Sequence, residues 1–137
     1  MASDAAGPNQ PDEIAQDIAN QVEEAVEQSQ KPQPVPINMF EADDALVVVA
    51  ALPGVMADDV DVVVERGRLT IEAGMRTAAP KRYLLHEWHY GPYYRELSIP
   101  DGFGREAHAS YGNGQLAVRL LRGEADGEPT IVWADQA

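Results

Sequence analysis

A chain of 137 residues suits one domain with flanking arms, and 45 % hydrophobic residues supply material for a core. With 10 Lys and Arg against 23 Asp and Glu, the formal net charge of −13 repels phosphate backbones and argues against nucleic acid as a partner. The lack of cysteine excludes disulfides, thiol catalysis and Cys-ligated metals, and fits a reducing cytoplasm. No apolar run reaches the length of a membrane span, and Met1-Ala2-Ser3-Asp4 has neither the basic start nor the apolar stretch of a secretion signal.

Residues 1–36 read as an arm. Pro11 suits a first helical turn, and Asp12 and Glu13 favour the positive end of a helix. Ile14, Ile18, Val22 and Ala25 then recur at helical spacing, which predicts a helix over 11–27. The stripe is thin and has no aromatic, so a marginal helix and a docking helix are both compatible with it. Pro32, Pro34 and Pro36 make the following stretch an extended linker.

Residues 37–122 carry the period of two expected of strands. Leu46, Val48, Ala50 and Leu52 alternate up to Pro53-Gly54, a turn pair in which Pro sets the first dihedral and Gly accepts positive φ. Val60, Val62 and Val64 alternate next, and Arg66-Gly67 separates them from Leu69-Thr70-Ile71 as a tight hairpin. After a polar connection, Tyr83 to His89 reads as a strand. Tyr93, Arg95, Leu97 and Ile99 continue on alternate positions beyond Gly91-Pro92. Ala107, Ala109 and Tyr111 form a short strand. Asn113-Gly114 is a strong hairpin signal, and Leu116, Val118 and Leu120 return from it. Strands of this length and spacing predict an all-β, antiparallel sandwich. In the tail, 123–137, Thr130 to Trp133 is a short apolar patch and the last four residues are expected to be loose.

No catalytic constellation accompanies these elements. His86-Glu87-Trp88-His89 lacks the spacing that places two histidines on one helical face for zinc. In a strand, positions three apart point to opposite faces, so no metal site is expected. His108 stands alone, no serine lies in a nucleophile elbow, and no glycine loop precedes a helix. The expectation is a protein that is not an enzyme and uses no cofactor.

Leu52-Pro53-Gly54, Leu69-Thr70-Ile71, Glu87, Gly91-Pro92-Tyr93-Tyr94-Arg95, Ile99-Pro100 and Ala109 to Leu116 with its Asn113-Gly114 occur in one order. This ordered set resembles the α-crystallin domain of small heat-shock proteins, bacterial type, from about residue 36 to 122. The resemblance implies an immunoglobulin-like sandwich, a homodimer or small oligomer, and ATP-independent holdase activity on non-native client proteins. The long connection between Ile71 and Tyr93 resembles that of dimers in which a loop strand pairs with the partner's first domain strand. Arg82 to Trp88 would be donated and Val35 to Met39 would accept it. The implied interface holds Val35, Ile37, Met39, Tyr83, Leu85, Glu87, Trp88 and Arg95, with Glu87 a partner for Arg95. The alternative, in which Tyr83 to His89 folds back on its own sandwich, stays open.

The resemblance also implies a groove between Asp59–Glu65 and Glu106–Tyr111 for clients or for a tail. Val62, Val64 and His108 would line it, and Ile131 and Trp133 would be the tail anchors. Trp133 stands where the family commonly has Ile or Val, and the arm lacks the usual phenylalanines, so a dimer is expected rather than a large shell. A second class of function uses the same sandwich as a structural adaptor with one dedicated partner, as in gas-vesicle accessory proteins.

Overall fold

The computed structural model describes residues 13–20, 31–76, 81–124 and 127–137. Among them eight strands form: β1 (Ile37–Glu41), β2 (Ala45–Ala51), β3 (Val60–Glu65), β4 (Arg68–Ala73), β5 (Tyr93–Ser98), β6 (Phe103–Gly112), β7 (Gln115–Arg122) and β8 (Thr130–Gln136). A 3₁₀ turn at Ala57–Asp59 leads into β3. Of the helix expected over 11–27, residues 13–20 are helical and exposed; the rest lies outside the described residues.

The strands run β1-β2-β7-β6-β8-β3-β4-β5 in one curled sheet. Its two halves, β1-β2-β7-β6 and β3-β4-β5, face each other as the layers of a sandwich. Most period-2 positions read from sequence face the interior: Leu46, Val48 and Ala50, then Val60, Val62 and Val64, then Leu116, Val118 and Leu120, join one core with Leu69 and Ile71, while Arg95 is exposed. Burial of this alternating set is the main driving force for the fold.

The turns have the chemistry their residues suggest. Arg66 and Gly67 both take positive φ (48° and 75°), as do Asn113 and Gly114 (53° and 74°). This is the type I′ geometry that matches strand twist. The Pro53-Gly54 turn packs on the second hairpin: the Leu52 N–H donates to Gly114 O at 2.8 Å. Two tyrosines clamp the turn. Tyr111 Oη donates to Leu52 O at 2.6 Å and Tyr93 Oη to Pro53 O at 2.7 Å. Burial pushes the Tyr93 phenol up from its ordinary value, which keeps it a donor. The Leu-Pro-Gly and Asn-Gly motifs are thus neighbours, and one tyrosine from each layer holds the first of them.

Three expectations change. Residues 83–89 form no strand; the loop between β4 and β5 instead lies against Lys31 to Val35 of its own chain, so no edge receives it. The short strand at 107–111 is part of the 10-residue β6, whose register shifts between Phe103 and Ala107. The final residues are paired rather than loose, because β8 completes two open edges and the Ala137 N–H still donates to Tyr111 O at 2.8 Å.

The contrast between core and loop is testable by thermal or urea unfolding. Leu116→Ala, at a fully buried position, should cost about 2–5 kcal/mol. Leu84→Ala, at a fully exposed one, should stay within about 0.5 kcal/mol.

Candidate functional site

β3 and β6 belong to opposite layers, and β8 lies between them. Its first half pairs antiparallel with β3, setting Val132 opposite Val62 and Thr130 opposite Val64. Its second half pairs parallel with β6, Ala134 to Gln136 against Ala109 to Tyr111. The groove expected between these strands is therefore a strand-wide slot, and the chain's own tail fills it. Val62 and Val64 form its buried floor. His108 stands at the rim, exposed, with Nε2 3.5 Å from Glu106 Oε1.

The tail anchors differ from expectation. Val132 is 5 % exposed and joins the core, whereas Ile131 and Trp133 are 63 % and 74 % exposed. The reason is register: Val132 falls opposite an inward valine, so the period of two turns both neighbours outward. The signal in the sequence was the Ile-Val-Trp triplet itself, whose central residue has the size of its partners on the slot floor.

The residues assigned to a dimer interface fall into two sets. Val35 is buried in the core and Ile37 is half-buried against it. Met39 is exposed on β1, next to the exposed Phe40, which the sequence reading passed over. In the loop before β5, Tyr83, Leu85 and Trp88 are exposed, with the unanticipated Leu84. Tyr83 stacks on His86 at 4.2 Å, and Trp88 leans on Tyr90 at 4.5 Å. Glu87 is exposed and does not meet Arg95. Arg95 Nη1 donates instead to Val35 O of its own chain at 2.8 Å. Gln33, absent from the sequence reading, is the buried polar residue of this region and bonds to Trp88 and Gly91.

Surface electrostatics are local. Arg76 grips Asp59 through Nε to Oδ2 (2.5 Å) and Nη2 to Oδ1 (3.1 Å), and this hydrogen bonding holds the Asp59 carboxyl below its ordinary range. Arg68 and then the Tyr94 hydroxyl lower Glu96 in the same way. Among the described residues, no group of three or more His, Cys, Asp or Glu is placed to hold a metal ion. No helix among them is long and apolar enough to cross a membrane.

A sandwich whose slot between layers accepts an added strand, with a clamped Leu-Pro-Gly turn beside it, is the architecture of α-crystallin domains. Residues 38–132 match the Hsp20/alpha crystallin family, and the chain belongs to it. It is 32 % identical over 92 residues to 18 kDa antigen 1 of Mycobacterium avium, covering 66 % of this chain and 63 % of that protein. It is 40 % identical over 85 residues to an alpha-crystallin of Mycobacterium bovis, covering 61 % and 57 %. The chain thus spans roughly half to two-thirds of the length of the curated relatives it matches. Among solved structures it is similar to a small heat-shock protein from Xylella fastidiosa, with a TM-score of 0.60 at 22 % identity over 72 % of this chain and 94 % of that one. It is also similar to heat shock protein 16.0 of Schizosaccharomyces pombe, with a TM-score of 0.58 at 27 % identity over 70 % and 93 %.

Because the folded pKa of Asp59 lies below its ordinary 3.8, any stabilisation from the Arg76 pair is complete above that pH and lost as pH falls through the lower folded value. Asp59→Asn should melt slightly below the parent at neutral pH, and the gap should close under acid conditions. A gap that ignores pH would assign it to something other than the ion pair.

Proposed function

We propose that this protein is an ATP-independent holdase that binds unfolding proteins and suppresses their aggregation. The observation that carries this reading is the slot between β3 and β6. Two strand edges face the slot over an apolar floor of Val62 and Val64, and both are paired by an extended segment of the chain's own tail, β8. Main-chain pairing to such edges is indifferent to most side chains, which suits a binder of varied non-native segments. One buried valine and a short ladder hold β8, so an exposed strand of a client competes for the same place. The exposed Ile131 and Trp133, together with the loop leucines, add apolar contacts nearby or at a distance. No step of this needs a nucleotide. The adaptor reading, with one dedicated partner, gains no support from relatives named small heat shock protein or alpha-crystallin.

We also propose a homodimer in which the loop around Tyr83, Leu85, Glu87 and Trp88 meets the partner's β1 near Ile37 and Met39. Support comes from the free outer edge of β1, which ends the strand order, and from the apolar side chains gathered at both places.

The purified chain should suppress heat-induced turbidity of a test enzyme without ATP. Removing residues 129–137 should strengthen suppression per mole, provided the shortened chain stays folded at the assay temperature. An absence of suppression at several-fold excess of the full chain would sink the holdase reading. For the dimer, Leu85→Asp changes a residue that is 75 % exposed and should leave the fold intact. Sedimentation should show the variant as a monomer at concentrations where the parent is a dimer; equal masses would remove this loop from the interface.

A further inference from the structure

Lys31 to Val35 form a strap that runs from the arm into β1, and the strap is bonded along its length to the loop preceding β5. Gln33 is its centre. The residue is 7 % exposed. Its main-chain N–H donates to Pro92 O at 2.7 Å. Its side chain is used at both ends: Nε2 donates to Gly91 O at 2.5 Å, and Oε1 accepts from Trp88 Nε1 at 3.1 Å. Nε2 also lies 3.0 Å from Met75 Sδ. On one flank His89 Nε2 is 2.7 Å from Lys31 O; on the other, Arg95 holds Val35 O. The strap and loop touch backbone to backbone, since a Cβ added to Gly91 would stand 1.8 Å from Lys31 O.

A buried glutamine contributes little to burial, and an apolar residue would fill the same space without needing partners. What Gln33 adds is directional: its side-chain oxygen takes the one indole proton of Trp88, and its amide takes the carbonyl of the loop's glycine. The same loop, just before Trp88, leaves Leu84 and Leu85 uncovered. It is therefore fastened at one end and apolar at the other.

We infer that Gln33 is a latch that holds the 81–92 loop on its own chain, and that opening the latch frees the loop to pair with a second copy. This rests on the dimer reading above, in which residues 82–88 are the donated strand. Trp88 cannot extend along a partner's β1 while its indole is bonded inward to Gln33. The latch also couples the arm to the interface, because any pull on the strap bears first on Gln33. Two states of one loop, differing by a few hydrogen bonds, form a bistable element of the kind that sets monomer and dimer populations.

The test uses the full chain with Gln33→Met, which keeps the volume and removes the side-chain hydrogen bonds, and measures two things. At concentrations where the chain is monomeric, amide hydrogen exchange across 82–92 should speed up. Sedimentation over a concentration series should show the dimer dissociation constant falling roughly tenfold, the equivalent of about 1.4 kcal/mol. Trp88→Phe, which keeps a ring and removes the Nε1 donor at a half-exposed position, should act in the same direction even if Gln33→Met folds poorly. Exchange that stays unchanged in both variants would overturn the latch, as would faster exchange accompanied by weaker dimerisation. Faster exchange with parent and variants monomeric throughout would uphold the closed loop and overturn the dimer reading and the role in assembly with it.

Discussion

β8 changes sides halfway along its length. Thr130 to Trp133 spend their hydrogen bonds on β3, and Ala134 to Gln136 spend theirs on β6. Since β3 and β6 lie in opposite layers, this one strand converts two half-sheets into a continuous order. Its side-chain anchorage is slight. Full burial of one valine is worth about 1.5–3 kcal/mol, and each ladder bond nets only about 0.5–1.5 kcal/mol. The strand is held more by backbone than by sequence, and a site that holds by backbone can exchange one extended segment for another. The chain has therefore covered two exposed edges with an element fixed mainly by main-chain pairing.

The rest of the sandwich does not share that looseness. The Leu52-Pro53-Gly54 turn is where the layers meet at one end, and its two carbonyls are taken by phenols from different layers. Gly54 takes φ of 88°, a conformation that a Cβ opposes. Gly114 takes φ of 74°, likewise opposed by a Cβ, and sits against Pro53. The core is closed firmly at this end while the slot stays dependent on one strand. Side-chain anchorage is accordingly uneven, with the core fixed by packed valines and leucines and β8 held by one buried valine and its ladders.

The layers were legible because burial is two-sided and periodic. Leu46 to Ala50, Val60 to Val64 and Leu116 to Leu120 each show the alternation, and the Arg66-Gly67 and Asn113-Gly114 turns fix their registers. Composition could not reveal the elements whose environment is made by distant parts of the chain. The phase of β8 depends on which residue meets Val62, and Ile-Val-Trp is apolar in every phase. The loop at 83–89 has strand-like residues, yet a strand exists only where an edge receives it, and here Trp88 and His89 bond to the strap instead. Gln33 sits in a run of prolines that reads as a linker, so its burial has no local signature. Its side-chain partners are 42 to 58 positions away.

The strong acidity bears on how such surfaces coexist. A net charge of −13 on a chain this small repels other copies, but at physiological salt that repulsion decays over roughly 8 Å. Beyond that range it discourages indiscriminate approach; at contact, the apolar groups decide. Those groups are not spread evenly. They collect on the outer side of β8, at Ile131 and Trp133, and around the loop and β1, at Leu84, Leu85, Met39 and Phe40. Charge and apolar surface therefore act at different ranges. The carboxylates most strongly tied down, Asp59 and Glu96, are neutralised by Arg76 and Arg68. Asp61, by contrast, faces Trp133 across the β3–β8 ladder, and Glu72 faces Asp61 from β4. The outer face beside the tail is thus both aromatic and acidic.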